Sequence, residues 1–380
     1  MKFIHLSDLH LGKRVNEFPM LEDQRYILEK IIRIIKDEMP CTVLIAGDVY
    51  DKSVPSAEAV CLFDDFLTRL AALRVPAFII SGNHDSPERI AFGGRIMESG
   101  GIYLSPVYDG ASAPVTLEDE FGSINVYMLP FLKPALVRHF AAEDAEISSY
   151  TEALREAVDM LGVNPAERNI LVTHQFVTGA ERCDSEEVSV GGADNVDESV
   201  FSGFDYVALG HIHGPQNIGG SGKIRYCGSP LKYSFSEVKH NKSVTVAELR
   251  EKGSLILREI PLVPMRDMSQ IRGEYNRLMD RSFYEGTSLQ NSYLRVTLTD
   301  EDDVPEAMAR LRSVYPYIMK LEYDNIRSRS SAEIPGASAD NKTPFELFSE
   351  FYEAQNGRPM SEEQEKYIAG LLEKIEEERA

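Results

Sequence analysis

The sequence predicts a layered α/β protein, and three observations carry that prediction. Short apolar, β-branched runs recur up to about residue 230, apolar at consecutive positions as in strands covered on both faces. Each run is followed by a loop rich in Gly, Asp or His. Amphipathic stretches lie between them, with apolar residues at helical spacing. Together these describe parallel strands alternating with helices.

In chain order, "KFIHL" runs into "SDLHLG" and "TVLIA" into "GDVYDKS". "AFII" runs into "SGNHDSPER", "NILV" into "THQF", and "YVAL" into "GHIHG". Leu21, Leu28, Ile31, Ile32 and Ile35 predict one helix, and Val60, Phe63, Leu67 and Leu70 a second. "KIRYCGS", "SVTVAEL" and "SLILREIPL" read as strands completing a sheet, so the first domain is expected to span 1–263. From 264 to 328 the texture changes to a small α+β unit, with a short helix at Tyr275–Met279 and a strand "SYLRVTLT". A helix over 304–314 and a strand "YIMKLEYD" complete it. Residues 329–342, rich in Ser, Ala, Pro and Gly, read as a linker. "TPFE" (Thr343, Pro344, Glu346) and "SEEQ" (Ser361–Gln364) are capping boxes, predicting two short helices over 343–380. Phe345, Phe348, Phe351, Tyr352, Tyr367, Ile368, Leu371, Leu372 and Ile375 form their apolar faces, too much apolar surface for two such helices to bury against each other. Either the helices fold back on the main body or, as the preceding linker favours, they form a docking module for a partner, with Phe345, Phe348, Phe351, Tyr367 and Leu371 as its contact candidates.

The chain has 380 residues, 43% hydrophobic and 27% charged, enough for more than one packed core. No apolar run approaches the roughly 20 residues of a membrane helix, and "MKFIHLSDLH" reads as a strand and not a leader. Cys41, Cys61, Cys183 and Cys227 are widely spread, suiting small apolar fillers in a reduced, cytoplasmic setting. The formal charge of −21 opposes unaided binding of nucleic acid, unless bound divalent metals or a basic partner reverse the sign locally.

The chemistry is carried by the loops. Asp8 and His10 stand two apart, on one side of an extended chain. Asp48, then Asn83 and His84, then His174, then His211 and His213 each follow a predicted strand. One such histidine is ordinarily a solvated or capped residue. Five strands in succession releasing Asp, Asn or His at their carboxyl ends form a site, because in α/β sheets those ends converge on one edge. Imidazoles, carboxylates and an amide oxygen without thiolates suit manganese, iron or zinc, and the oxygen share favours manganese. Asp8, His10, Asp48, Asn83, His174, His211 and His213 are too many for one ion; two ions sharing one carboxylate would use them all. Gly47, Gly82, Gly210 and Gly214 are expected to let the backbone turn sharply beside them.

"DLHLG", "GDVYD", "GNHD", "THQF" and "GHIH" resemble the successive motifs of the calcineurin-like metallophosphoesterases. "YCGSPLKYSFSE" and the closing helix pair are more similar still to the SbcD nuclease-subunit family of double-strand-break repair. The resemblance implies a β-sandwich flanked by helices, with residues 264–328 as a capping domain. It also implies two divalent metals, one held by Asp8, His10 and His213, the other by Asn83, His174 and His211, with Asp48 bridging. His84 resembles the family's catalytic histidine, which contacts the scissile phosphate and assists the leaving group. Some members carry a histidine where this chain has Asp51, so a second phosphate-contacting histidine is not implied. Asp51 and Asp85 are expected to orient metal-bound imidazoles.

The implied activity is hydrolysis of DNA phosphodiesters, as duplex exonuclease and single-strand or hairpin endonuclease, in DNA repair, recombination and replication. The implied partners are DNA, an SbcC-type ABC ATPase in a heterotetrameric complex, and a second copy of the chain, meeting through helices near 56–73 and 86–100. Lys13, Arg14, Arg89 and Arg95 are candidates for the DNA backbone, as are Lys232 and Tyr233, each equally readable as an ordinary structural or surface residue. His5, His139 and His240 read as structural or surface residues. The alternative is a phosphoesterase of another branch, acting on a phosphoprotein or small phosphodiester, which leaves the capping unit and tail without use.

Overall fold

The computed structural model describes residues 1–142, 145–184, 186, 195–325 and 344–377. It divides into two compact units, Met1–Asp267 and Met268–Ala380. The first unit contains, in chain order, β1 (Lys2–Leu6), α1 (Leu21–Glu38), β2 (Thr42–Ala46), α2 (Ala57–Ala72), β3 (Ala77–Ile80) and β4 (Ile102–Leu104). β5 (Val115–Asp119), β6 (Gly122–Leu129), α3 (Tyr150–Met160), β7 (Arg168–His174) and β8 (Tyr206–Gly210) follow. β9 (Gln216–Ile218), β10 (Ile224–Tyr226), β11 (Ser243–Leu249) and β12 (Leu255–Pro261) complete it.

These strands make two six-stranded sheets, ordered β12-β11-β1-β2-β3-β4 and β9-β10-β8-β7-β6-β5. β1 to β4 are mutually parallel, and so are β6, β7, β8 and β10. The antiparallel strands lie at the margins, at β11, β12, β5 and β9. Phe3, Leu44, Ala46, Phe78 and Ile80 of one sheet pack with Ile124, Val126, Ile170, Val172, Tyr206 and Ala208 of the other in one buried cluster. Alternate residues point the opposite way. Tyr127, Leu129, Leu171, Val207 and Leu209 join Ala153, Leu154 and Ala157 of α3 in a second core. α3 opens with a capping box formed by Ser149 and Glu152.

The predicted β-sandwich with flanking helices is the fold observed. The strands expected at 224–260 are present but serve both sheets: β10 joins the second, β11 and β12 the first. α1 buries Ile27, Leu28, Ile31, Ile32 and Ile35, as its period requires, and Leu21 lies half-exposed. α2 buries Phe63 and Leu70 of the predicted stripe, together with Ala59, Leu62 and Phe66, while Leu67 is half-buried and Val60 is not part of the buried face. Val60 lies one residue, hence about 100°, round from Ala59 and is 43% exposed. Among the cysteines only Cys227 is a buried filler; Cys41 and Cys61 are exposed and Cys183 is half-buried, all as free thiols. His5 is a structural residue, its Nδ1 2.9 Å from the Tyr206 hydroxyl.

In the second unit, β13 (Met268–Gly273), β14 (Tyr293–Leu298) and β15 (Ile318–Tyr323) form a parallel three-stranded sheet in that order. Ile271, Leu278, Leu294, Val296, Leu298, Leu311, Tyr315 and Ile318 make its core, with α4 (Ala307–Arg312) contributing Leu311. Sequence reading missed β13, because in "MSQIRG" the buried apolar residues, Met268 and Ile271, stand three apart and lack the alternation of a strand. α5 (Pro344–Asn356) and α6 (Glu362–Glu377) follow. The second capping box is present: Ser361 N–H donates to Gln364 Oε1 at 2.9 Å, and Gln364 N–H to Ser361 Oγ at 3.3 Å. Thr343 of the first box lies outside the described residues, as does the expected linker over 329–342. Phe351 and Tyr367 are strongly exposed. Among the described residues, no helix is long and apolar enough to cross a membrane.

The margin of the first unit is tied by charge. Arg168 at the start of β7 donates to both carboxylate oxygens of Asp119, at 3.1 and 2.5 Å, and to the carbonyl of Arg250 at 2.9 Å. Burial would raise the Asp119 carboxyl, but the Arg168 hydrogen bonds and the Met1 ammonium hold it far below the usual carboxylate range. The pair is therefore fully stabilising above the unfolded-state pKa of about 4 and fades as pH falls toward the folded-state value. Asp119→Asn should cost about 1–3 kcal/mol at pH 7. Urea unfolding should show the gap between variant and wild type narrowing as pH drops below 4.

Candidate metal centre

The site lies at the carboxyl ends of β1, β2 and β3 of one sheet and β7 and β8 of the other. All eight singled-out side chains are there: Asp8 and His10 after β1, Asp48 after β2, Asn83 and His84 after β3, His174 ending β7, and His211 and His213 after β8. Asp48 Oδ2 lies 3.4 Å from Nε2 of His174, 3.6 Å from Nε2 of His10 and 4.0 Å from Nε2 of His84. His10 Nε2 faces His213 Nε2 at 3.1 Å. Asn83 Oδ1 lies 3.0 Å from both His174 Nε2 and His211 Nδ1. Asp8, His10 and His213 offer ligand atoms all within 4.8 Å of one another, as do Asp8, Asp48 and His174.

Backbone contacts hold the loops in register. Asp8 N–H donates to the Gly47 carbonyl and His10 N–H to that of Asp48, so the first two loops run side by side. His211 N–H donates to Asp8 Oδ1 at 3.0 Å, joining the two sheets. His84 N–H donates to Asp48 Oδ1 at 3.0 Å. Asp85 does not orient an imidazole as expected. It accepts the N–H groups of Val49, Tyr50 and Gly82, sewing the second loop to the third. Burial, more than the neighbouring Asp48 charge, pushes its pKa up to about 7. Asp51 does not hydrogen-bond the His10 ring, since Oδ1 is 3.7 Å from Nδ1; its carbonyl lies 3.0 Å from His84 Nδ1.

Four site residues, Asp8, His10, Asp48 and His211, have positive φ of 53°, 44°, 49° and 98°. Such backbone in residues with a Cβ is strained and clusters at functional sites. The adjacent glycines differ from expectation. Gly47, with φ of 83°, supplies a turn; Gly82, Gly210 and Gly214 do not adopt positive φ. Gly210 is required by close approach: a Cβ there would sit 1.9 Å from the Ala46 carbonyl oxygen and 2.6 Å from His174 Nδ1.

The electrostatics suit a cation. Burial would raise Asp48, but His174, then His10 and His84, hold it well below the usual range. Burial would lower His174, but Asp48 and Asp8 carry it up to about 9. Burial raises Asp8 to about 6 and lowers His211 to about 3. His174 Nδ1 is 2.8 Å from the Ala46 carbonyl, which can only accept, so Nδ1 carries a hydrogen and Nε2, facing Asn83 Oδ1 and Asp48 Oδ2, holds the proton that a bound cation would displace. Lone-pair atoms facing one another in a buried cluster need a shared proton or a cation between them. The donor set of imidazole nitrogens and carboxylate and amide oxygens fits divalent metals of the manganese, iron and zinc group.

The proposed DNA contacts do not gather here equally. Lys13 Nζ is paired to Asp51 Oδ1 at 2.6 Å and lies over the Tyr233 ring. Arg14 is exposed and donates to the Glu17 carbonyl. Arg89 and Arg95 are exposed beyond the third loop. Lys232 is paired with Asp267 and donates to the Val238 carbonyl, and Tyr233 is buried with its hydroxyl on the Leu9 carbonyl. Sequence reading missed Glu186, which accepts the His213 N–H at 2.6 Å, Phe131, whose ring flanks His174 and His211, and Glu237. Only the spatial return of distant segments reveals them.

Two sheets delivering metal-type ligands from five strand ends to one edge define a metallophosphoesterase. The chain belongs to the calcineurin-like phosphoesterase family, whose model matches residues 1–215, and within it to the SbcD nuclease subunits. It is 33% identical over 379 residues to the SbcD component of the SbcCD nuclease of Staphylococcus epidermidis, covering 98% of each chain. A second family model, the type 5 capsule protein repressor C-terminal domain, matches residues 264–356. Among solved structures, a dimetal phosphatase from Danio rerio is similar at TM-score 0.41 and 13% identity, over 69% of this chain and 96% of that one. GAP50, the anchor in the inner membrane complex of Plasmodium, is similar at TM-score 0.44 and 13% identity, over 88% of this chain and 98% of that one.

Gly210→Ala should lower stability by at least about 1–3 kcal/mol through overpacking. Because the new methyl also meets His174, a manganese titration should weaken along with the thermal midpoint. Wild-type binding in a destabilised variant would contradict that placement.

Proposed function

We propose that the chain is the nuclease subunit of an SbcCD-type complex, hydrolysing DNA phosphodiesters in end processing, repair, recombination and replication. The observation that carries this reading is the convergence on Asp48, whose Oδ2 reaches His10 on one side and His174 on the other. Asp8, His10 and His213 would hold one divalent ion, Asn83, His174 and His211 a second, and Asp48 would bridge them. Manganese is the favoured metal, since the set has oxygen and imidazole donors and no thiolate. Such a pair of cations supplies an activated water and neutralises charge on the attacking and leaving oxygens.

The protein's own groups then have separable tasks. Asp48, buried and ionised, orients the facing imidazoles. His84 Nδ1, 3.0 Å from the Asp51 carbonyl, donates to it and fixes the ring. Nε2 of His84 is left to contact a phosphate oxygen and to carry a proton to the leaving oxygen. The flanking rings of Phe131 and Phe176 narrow the approach to His211.

The remaining surfaces support assembly. Phe92 and Ile96, 81% and 79% exposed, lie within the 86–100 segment proposed with helix 56–73 for the dimer; that segment forms short helical turns, Pro87–Ile90 and Gly94–Met97, in place of one helix. Patches of this kind mark interaction sites. In the tail, Phe348, Tyr352, Met360, Tyr367 and Ile368 line an apolar groove between α5 and α6, suited to an SbcC-type ATPase. The proposed organisation is a nuclease domain over 1–263, a capping domain over 264–328, a linker over 329–342 and docking helices over 343–380, in a cytoplasmic complex. Given the net charge of −21, most of the basic surface for DNA would come from the ATPase, with Arg14, Arg89 and Arg95 as local contacts and Lys13 after release from Asp51.

Cleavage of linear duplex and hairpin DNA with manganese, with and without the ATPase, tests the reading. Turnover of small phosphodiesters alone, without DNA cleavage in either condition, would favour the alternative phosphoesterase. His84→Gln should retain both metals by titration and lose about 10²–10⁴-fold in cleavage rate. Asp48→Asn should lose metal as well as activity; an inactive variant that still binds two ions normally would remove the bridging role.

A further inference from the structure

The segment "CGSPLKYSFSE", Cys227–Glu237, supplies neither a metal ligand nor a group for the proposed hydrolysis. With Lys242 it folds around the half of the centre made by Asp8, His10 and His213. The Tyr233 ring lies edge-on to His10 and His213, with centroids 5.6 and 6.0 Å away. Glu237 is completely buried. Its Oε1 accepts the Tyr233 N–H at 3.1 Å and lies 3.4 Å from His213 Nδ1, while Oε2 pairs with Lys242 Nζ at 2.5 Å. Lys242 Nζ also donates to the His213 carbonyl and to Ser229 Oγ, each at 2.8 Å. The ring and the backbone of His213 are thus held by the same buried pair.

A carboxylate facing one imidazole nitrogen requires that nitrogen to carry the hydrogen. The lone pair is then on Nε2, which in His213 is aimed at His10. Carboxylates placed so raise the basicity of metal-ligating histidines and fix their rings. Lys242 supplies the counter-charge without which a buried carboxylate would be costly. His174 is anchored differently, on the uncharged Ala46 carbonyl. The charged anchor therefore belongs to one half of the centre.

We propose that Glu237, backed by Lys242, is the positioning residue for His213, and that this pair sets the divalent-metal affinity of the Asp8–His10–His213 half; the proposal rests on the dimetal reading. Manganese titration of the full chain, followed by electron paramagnetic resonance, tests it in wild type, Glu237→Gln and the double variant Glu237→Gln/Lys242→Met. The single variant leaves Lys242 without a counter-ion and should melt lower. The double variant buries neither charge and should recover much of the melting temperature. In both, one of the two manganese sites should weaken roughly 10–100-fold while the other is unchanged. Nitrogen NMR of the metal-free protein should show His213 leaving the Nδ1–H tautomer in both variants.

Affinity that recovers together with melting temperature in the double variant would reduce the pair to a fold brace and overturn the proposal. Unchanged binding of both ions in the variants would do the same. A wild-type chain that binds no manganese would instead overturn the dimetal reading, and the tautomer measurement would then decide the Glu237 role alone.

Discussion

The buried Asp48 carboxylate is the constraint around which the first unit is organised. It is 2% exposed, at the meeting point of strand ends from two different sheets. A charge in that position must be paired and hydrogen-bonded. Its partners are four groups from three strand ends: the rings of His10, His84 and His174, and the backbone N–H of His84. Only a sandwich whose parallel strands end at a common edge brings those groups together. The fold and the candidate chemistry are therefore one problem, because the pairing of one anion requires both sheets to be in register.

The same edge concentrates backbone strain. Asp8, His10, Asp48 and His211 carry positive φ, and the loops at Gly47 and Gly210 approach within a distance that excludes a Cβ. Asp85 offsets some of this cost by capping three backbone N–H groups from two loops. Strain is tolerated because the layers beneath are rigid: the inter-sheet cluster is closed by residues such as Phe3, Phe78 and Tyr206, fully removed from water. A packed core with no slack transmits position well, which a site built from eight side chains on five loops requires.

Charge is distributed to suit this arrangement. The excess of carboxylates leaves the molecule acidic overall, while the centre gathers five imidazoles around two carboxylates. The basic residues near the centre are partly occupied: Lys13 by Asp51, Lys232 by Asp267 and Lys242 by Glu237. Apolar surface is left instead at Phe92 and Ile96 and along the tail helices at Phe351 and Tyr367. A molecule with this division of surface is better suited to work within an assembly than to grip a polyanion unaided.

Much of this was legible in the sequence by itself. Apolar runs ending in Asp, Asn or His are local patterns, so strand positions, loop positions and the eight side chains that gather at one edge could be read from residue order alone. The helix cap at Ser361 is equally local. The tertiary structure alone decided which strands share a sheet: the first three motifs come from one and the last two from the other, which alternation along a chain does not encode. It also decided which face of α2 is buried, that Gly210 serves close approach, and that Asp85 ties backbone where an imidazole was expected. Glu237 and Glu186 belong to the same class. Each lies more than 20 residues from His213 in the chain, and a hydrogen bond across that separation exists only once the sheets have closed. Local preference is written along the chain; the pairing of buried charges is settled by packing.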